Sequence, residues 1–266
     1  MSDAQIRLDA VDLRYRTRDG SVTALQGISL AVAPRSFVSV VGPSGCGKTT
    51  LLKLVSGLLR PSSGRVLIDG QPLDAAGLAG QFGFVFQRPL LLPWRTTLDN
   101  VALSAEIVQK TRPRRDRLAE ARRWLEIVGL AGFEDRHPHE LSGGMQQRVS
   151  LCRALAFHPR ILLMDEPFAA LDEITREAMQ DQLLKIWTHI ENTILFITHS
   201  ISEAVLLSER VVILTARPGR VQEILDIPFP RPRSEALRGD PRFTEIVQYI
   251  RGKLRATEPA PAGGPR

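Results

Sequence analysis

A glycine-rich segment between two regular patterns constrains this chain most. The sequence GPSGCGKT, 42–49, follows a short apolar run, 37–41, and precedes a stretch with helical periodicity. A strand, a loop with the spacing G-x-x-x-x-G-K-[ST] and a helix, in that order, are the context that a phosphate-binding loop requires. The glycines let backbone N–H groups turn inward, while Lys48 and the hydroxyl of Thr49 suit phosphate and Mg²⁺. The segment predicts a nucleotide-phosphate site within an α/β fold.

Short apolar runs alternate with helical patterns along most of the chain, which predicts a parallel sheet covered on both faces. The runs predicted as strands are 6–15, 24–32, 37–41, 65–70, 82–87, 161–167, 193–198 and 210–215. Helical periodicity is seen at 49–59, 114–128, 141–155, 173–190 and 201–208. The stretch 89–158 is mostly helical and interrupts the alternation, so we predict that it is an inserted subdomain.

The length of the chain, 266 residues, is ample for a hydrophobic core. We predict one domain over 1–256. Its core lies at about 1–88 and 159–220, its helical subdomain at about 89–158 and its C-terminal extension at 221–256. The tail, 257–266, is rich in proline, glycine and alanine and is predicted to be disordered.

Composition narrows the class of protein. Hydrophobic residues make up 43% and charged residues 24%, as in ordinary globular proteins. No apolar stretch approaches the roughly 18 residues of a membrane span, and the polar N-terminus shows no signal peptide, so we expect a cytoplasmic chain. Cys46 and Cys152 form no CxxC pair and no cluster with zinc spacing, which predicts reduced thiols and no metal–thiolate site.

The net charge of +6 is partly local. The segment 110–123 holds seven basic and two acidic residues, and 217–255 holds nine and five. Such patches can meet nucleic acid, anionic lipid or an acidic partner. Aromatic residues do not interleave with them as in single-strand binders, which favours solvated faces.

Polar side chains follow three of the predicted strands. Asp165 and Glu166 end one, and the carboxyl ends of strands are where α/β sheets bind ligands. Asp165 suits Mg²⁺, and Glu166 can polarise an attacking water. His199 can donate a hydrogen bond to a γ-phosphate, and Gln87 can orient water or Mg²⁺. Each alone is more often structural: a helix N-terminal charge, a structural histidine or a polar strand end.

A second segment also suits an anion. In LSGGMQQRVSLCRAL, 141–155, Ser142, Gly143 and Gly144 open a helix with recurring apolar positions. A helix N-terminus with bare N–H groups attracts anions. The alternative is a serine-capped core helix with a glycine turn.

Six ordered motifs over roughly residues 5–220 resemble those of the ATP-binding subunits of ABC transporters. They are Walker A (42–49), the Q-loop (Gln87), the signature motif (141–148), Walker B (161–166), the D-loop (170–172) and the switch histidine (His199). Met145 stands where the family's LSGGQ has glutamine. The resemblance implies a P-loop NTPase (RecA-like) core with an antiparallel β subdomain and an inserted α-helical subdomain.

The resemblance also implies an ATPase that uses ATP and Mg²⁺. Its implied catalytic residues are Glu166, His199, Gln87 and Lys48, and its implied metal ligands are Thr49, Gln87 and Asp165. Tyr15 falls where the family stacks an aromatic ring on adenine. The other implied ATP contacts are Gly42, Pro43, Ser44, Gly45, Cys46, Gly47, Lys48, Thr49, Thr50, Ser142, Gly143, Gly144 and Asp172.

Subunits of this family pair head to tail, with each ATP between the Walker A of one copy and the signature motif of the other. The resemblance therefore implies a homodimer, peripheral on the cytoplasmic face of the plasma membrane. Its implied partners are integral membrane permease subunits and, indirectly, an extracytoplasmic solute-binding protein, with no nucleic acid. A coupling helix of the permease is expected near 87–94, where Trp94 is either its anchor or a core tryptophan.

Three segments, 85–103, 196–221 and 227–233, resemble the bacterial importers for nitrate, alkanesulfonate, taurine and related small anions or pyrimidines. The prediction is the ATP-hydrolysing subunit of an importer for nitrate, sulfonate or taurine. One alternative is the same class carrying a pyrimidine or vitamin precursor. Others are an ABC ATPase acting on nucleic acid or ribosomes, and a regulatory module that does not hydrolyse ATP. The chain has a single set of motifs and a helical insert of only about 70 residues, which disfavours an ATPase that acts on nucleic acid or ribosomes. The presence of Glu166 and His199 disfavours a module that does not hydrolyse ATP.

Overall fold

The computed structural model describes residues 4–17, 20–73, 80–188 and 190–257. The strands are β1 (Ile6–Thr17), β2 (Gly20–Val32), β3 (Phe37–Val41), β4 (Ser63–Ile68), β5 (Gln71–Pro72), β6 (Phe82–Val85), β7 (Ile161–Asp165), β8 (Thr193–Ile197), β9 (Arg210–Leu214) and β10 (Val221–Asp226). The helices are α1 (Lys48–Val55), α2 (Thr97–Val108), α3 (Arg114–Ile127), α4 (Gly143–Leu155), α5 (Glu173–Trp187), α6 (Ile201–Leu207) and α7 (Pro241–Arg255).

The chain divides into two compact units. The first consists of Met1–Ala75 and Leu195–Arg266, and the second is Ala76–Ile194. The predicted helical subdomain, 89–158, falls inside the second unit, and its boundaries stay a prediction. The predicted disordered tail, 257–266, lies outside the described residues except for Thr257.

An antiparallel sheet in the first unit has the strand order β2-β1-β4-β5. Along β1, buried side chains alternate with more exposed ones at Ile6, Leu8 and again at Val11 and Leu13. This period of two places one face of the strand in the core. The register shift after Leu8 lets the alternation resume at Val11.

The first unit also contains β3, which pairs in parallel with β9, while β9 pairs antiparallel with β10. Every residue of β3 is buried, as expected for a strand covered on both faces. The helix α7 was missed from the sequence, although Asp240 caps it and Pro241 opens it. Its buried side chains, Phe243, Val247 and Ile250, have helical spacing.

The second unit joins the parallel pair β6 and β7 to helices α2 to α5. Three of these helices begin at a side-chain cap, because Thr96, Ser142 and Asp172 each accept a backbone N–H of the first turn. Within the described ranges, no helix combines the length and apolarity needed to cross a membrane.

Two helices are shorter than their sequence patterns predict. Helix α1 ends at Val55 rather than near residue 59, because Gly57 takes a positive φ of 75° and donates its N–H to Leu54. Helix α5 ends at Trp187 rather than at residue 190.

Candidate functional site

The glycine loop joins β3 to α1 in the first unit. The Cys46 N–H donates to the Pro43 carbonyl at 3.3 Å and closes a turn in which Gly45 has a φ of 72°. Gly47 has a φ of 103°, and a Cβ there would lie 2.7 Å from Leu25. Both glycines are therefore required by conformation, and the second also by a close approach.

Lys48 lies within this loop. Its side chain is 7% exposed, and its Nζ donates to the carbonyls of Gly42 at 2.9 Å and Pro43 at 3.1 Å. A phosphate oxygen is a stronger acceptor than a carbonyl, so the ammonium can exchange these partners for phosphate. The first turn of α1 carries no acidic side chain that would oppose an anion.

The ring of Tyr15 lies beside the start of α1. It is 39% exposed on β1, and its hydroxyl is 3.4 Å from Oγ1 of Thr50. Ser44 and Thr49 are exposed in the same region. An exposed aromatic face next to a phosphate loop is suited to stacking on a base.

His199 follows β8 and is exposed between fixed neighbours. The Thr198 N–H donates to the Val40 carbonyl at 3.3 Å, which places His199 next to the strand that leads into the loop. The Thr198 hydroxyl donates to Glu203 at 2.5 Å, and Ser200 caps α6. The backbone of His199 is thus held while its side chain reaches solvent.

The two thiols are buried and free of disulfides. Burial raises the pKa of Cys46 and of Cys152 above the ordinary thiol value. Both are therefore held as thiols, and Cys46 contributes to the loop as a packed side chain whose Sγ would clash with a Cβ at Gly42.

The second unit holds the acidic pair. Strands β6 and β7 run in parallel with Val85 opposite Met164, so Gln87, just after β6, and Asp165, at the end of β7, lie at the carboxyl ends of neighbouring strands. Gln87 is exposed. The sequence pattern predicts it as the last residue of a strand, whereas in the structure it lies two residues beyond the end of β6. Asp165 is the last residue of β7.

Glu166 has an unusual backbone for a residue with a side chain. Its φ is 47°, in the left-handed region. Such a conformation costs about 1–3 kcal/mol for a non-glycine residue and is frequent at functional sites. The Glu166 carbonyl accepts the N–H of Ala169 at 3.1 Å, which fixes the turn that follows β7.

The signature segment, 142–144, opens α4. Ser142 is exposed and its Oγ accepts the Met145 N–H at 3.3 Å. Gly143 is exposed, with no atom within 4 Å of an added Cβ, whereas a Cβ at Gly144 would lie 2.5 Å from Thr175. Helix geometry leaves the first N–H groups without intrahelical acceptors, so this end can receive an anion.

Asp172 lies close to the signature segment through Thr175. Its carboxylate accepts the Thr175 N–H at 2.9 Å and so caps α5, while Thr175 also contacts Gly144. The hydrogen bond from the Thr175 backbone lowers the pKa of Asp172. Asp172 therefore caps α5 as a carboxylate, and Thr175 in the first turn of α5 is the residue that lies against Gly144.

One contact in the second unit was missed from the sequence. The side chain of Gln147 is 2% exposed, and its Nε2 donates to the Phe86 carbonyl at 3.1 Å. It ties α4 to the residue before Gln87. A single glutamine in a helical pattern gives no signal for a partner 61 positions away.

Thr49 of the first unit carries a hydroxyl, and Gln87 and Asp165 of the second carry an amide and a carboxylate. Hard oxygen donors of this kind suit Mg²⁺. Among the residues described, no group of three or more His, Cys, Asp or Glu side chains is placed to hold a metal.

The loop, the strand ends and the capped signature helix define a P-loop nucleotide-binding protein. A family model described as ABC transporter matches residues 25–169. An uncharacterized ABC transporter ATP-binding protein of Methanocaldococcus jannaschii is 52% identical over 92% of this chain and 88% of its own length. A taurine import ATP-binding protein of Rhizobium johnstonii is 43% identical over 95% of this chain and 97% of its own length. A nitrate import ATP-binding protein of Synechococcus elongatus is 42% identical over 91% of this chain and 88% of its own length.

The fold has a solved counterpart. A dimeric post-hydrolysis state of an ATP-binding cassette bound to ADP and Pi superposes with a TM-score of 0.75, at 33% identity, and covers 85% of this chain and 100% of that one. The chain belongs to the ABC transporter family and is an ATPase cassette of it. The predicted P-loop NTPase fold and enzyme class are confirmed.

Proposed function

We propose that this chain is the ATP-hydrolysing subunit of a bacterial ABC importer and that it acts as a homodimer. Each ATP lies between the phosphate loop of one copy and the signature segment of the other. The chain offers two different anion sites, a loop with a buried lysine and an exposed helix end. One nucleotide in such a sandwich uses both.

The exposure of the signature segment carries this proposal. Ser142 and Gly143 are open to solvent, and no acidic residue lies in the first turn of α4. A serine-capped core helix would have no need to leave its N-terminus exposed and unopposed. An exposed end with a positive dipole suits a phosphate brought by another molecule.

In the proposed reaction, Lys48 binds the β- and γ-phosphates, and Tyr15 stacks on the base. Glu166 accepts the proton of the attacking water, which Gln87 orients. His199 donates a hydrogen bond to the γ-phosphate. Bound Mg²⁺, held by Thr49, Gln87 and Asp165, would neutralise charge on the phosphates. Hydrolysis weakens the contact between copies, because the γ-phosphate no longer joins them.

Replacement of Ser142 by arginine tests the sandwich. Ser142→Arg should abolish ATP-driven dimerisation, measured by light scattering, because the long side chain fills the space of the incoming phosphate. The ATP affinity of the monomer should be unchanged. Ser234→Arg, at an exposed serine that precedes a short 3-10 helix, is the control for a new arginine at the surface. Normal dimerisation of Ser142→Arg would contradict the proposal.

The permease partner is supported by an exposed apolar segment after Gln87. Leu90 is 57% exposed and Trp94 72%, so the alternative that Trp94 is a core residue is wrong. The segment is nevertheless well held, because Arg153 donates to the carbonyls of Pro89 at 2.7 Å and Leu90 at 2.8 Å. A rigid segment with an exposed tryptophan suits docking of a partner helix. We place this subunit peripherally on the cytoplasmic face of the membrane.

The solute proposed is a small anion such as taurine, another sulfonate or nitrate, as the names of the relatives suggest. The alternative within the same class is a pyrimidine or vitamin precursor. The solute contacts the permease and the extracytoplasmic binding protein rather than this chain. Its identity is tested by the purified complex: the solute that stimulates ATP hydrolysis, when presented on its binding protein, is the cargo.

The nucleic-acid alternative rests on the basic segment 110–123. There, Arg117 donates to the Arg112 carbonyl at 2.5 Å, and Arg114 pairs with Asp99 at 3.4 Å. Arg114 and Arg117 thus make contacts within the chain at the surface of α3. This favours a solvated helix face over a surface that binds nucleic acid. Co-purification with nucleic acid rather than with membrane proteins would favour the alternative.

A further inference from the structure

The turn between β9 and β10, 215–220, lies against the phosphate loop within the first unit. Arg217 donates from both Nε and Nη2 to the carbonyl oxygen of Gly45, each at 3.2 Å. A fork of two donors on one carbonyl fixes the orientation of that peptide more tightly than a single hydrogen bond. None of the proposed roles above uses Arg217.

This turn is itself firmly held. The Gly219 N–H donates to the Ala24 carbonyl at 2.9 Å, and the Gln26 N–H donates to the Gly219 carbonyl at 2.9 Å. Gly219 is buried, and a Cβ there would overlap the carbonyl oxygen of Cys46. The backbone next to Arg217 therefore packs closely against the loop, and the Arg217 side chain extends from a well-fixed backbone.

The orientation of the loop peptides decides whether the loop can bind polyphosphate. A carbonyl oxygen turned toward a bound phosphate repels it, whereas an N–H attracts it. In a planar peptide the carbonyl of Gly45 and the N–H of Cys46 point in opposite directions, so Arg217 on the carbonyl and the Pro43 carbonyl on the N–H fix the same peptide from its two sides. Lys48 holds two further carbonyls, those of Gly42 and Pro43.

We propose that Arg217 is a positioning residue for ATP binding, which holds the Gly45–Cys46 peptide in the orientation that the phosphate loop needs. When Lys48 moves to a phosphate, it releases its two carbonyls, and the Gly45 carbonyl stays paired with Arg217. The loop is thereby preorganised, and less ordering free energy is lost on binding. This proposal rests on the proposed role of the loop in binding ATP.

The test is calorimetric titration of the purified full chain with Mg-ATP and with Mg-ADP. Arg217→Gln should weaken both by about three- to tenfold, the effect of losing one solvent-exposed hydrogen-bonded contact. Arg217→Lys should stay weaker than the original, because an ammonium keeps the charge and loses the planar fork. Arg220→Gln, in the same turn but bonded to Gln26, should bind normally.

Steady-state kinetics separate positioning from general damage. The KM for ATP should rise in Arg217→Gln by the factor seen in titration, with kcat at saturation unchanged, and its unfolding midpoint should match that of Arg220→Gln. Normal affinity of Arg217→Gln, full affinity of Arg217→Lys, or equal losses in Arg220→Gln would each overturn the proposal. Lys48→Ala distinguishes failure of the Arg217 proposal from failure of the proposed role of the phosphate loop. If Lys48→Ala binds ATP normally, the proposed role of the loop itself fails.

Discussion

At the scale of single residues, Glu166 is both the proposed catalytic base and a residue with a strained backbone. A left-handed glutamate directly after β7 persists only where the surrounding structure holds it. The following residues do so, since Leu171 donates to Phe168 at 3.2 Å and Ala169 to Glu166 itself. Backbone strain of this kind is frequent at functional sites, so it is consistent with the proposed role of Glu166 as the base.

Replacement of Glu166 by glutamine should leave Mg-ATP affinity within about twofold and lower kcat by about 10²–10⁴-fold, because the amide cannot accept the proton of the water. Phosphate release measures kcat, and titration measures affinity. Glu126→Gln, at an exposed position on α3, serves as the control. Normal turnover of Glu166→Gln would remove Glu166 from the role of base.

At the scale of elements, α6 is held at both ends. Ser200 and the Thr198–Glu203 pair hold its N-terminus beside His199. At its other end, the guanidinium of Arg233 donates to the carbonyls of Val205 at 3.2 Å, Leu206 at 3.3 Å and Ser208 at 2.8 Å. The C-terminal extension thus supplies the cation that the negative end of this helix favours. Burial lowers the pKa of Arg233 to about 10, so the side chain is charged at neutral pH.

Arg233→Met should lower the free energy of unfolding by roughly 2–4 kcal/mol, because two carbonyls of α6, that of its C-cap Ser208 and that of Phe229 lose a buried donor. Urea denaturation measures the loss. Arg242→Met removes an exposed pair with Asp240 and should change stability little. Equal stability of the two variants would show that the extension does not hold α6.

At the scale of the whole molecule, the exposed segment with Leu90 and Trp94 is the surface that we propose for docking of the permease. Trp94→Ala should leave the ATPase rate of the isolated subunit unchanged and weaken association with the permease by tenfold or more, since exposed tryptophans are frequent interface anchors. Co-purification from membranes measures association. Leu58→Ala, which also removes an exposed apolar side chain, is the control. Undiminished association would place the permease elsewhere.

The sequence predicts what depends on neighbouring residues. The buried run of β3, the glycine loop and the Ser142 cap follow from local spacing, and all three are present. The C-terminal helix α7 was open to prediction, because its cap and apolar spacing are also local. Contacts between distant segments could not be predicted from local patterns. Arg217 and Gly45, for example, are 172 positions apart, and no sequence periodicity connects them. The same holds for the left-handed Glu166, whose backbone is set by packing rather than by its residue type.

The most direct test of the central claim is a crystal structure of the Glu166→Gln variant with Mg-ATP. We expect a dimer in which each triphosphate contacts Lys48 of one copy and Ser142 of the other. A structure in which Ser142, Gly143 and Gly144 lie far from every triphosphate would contradict it.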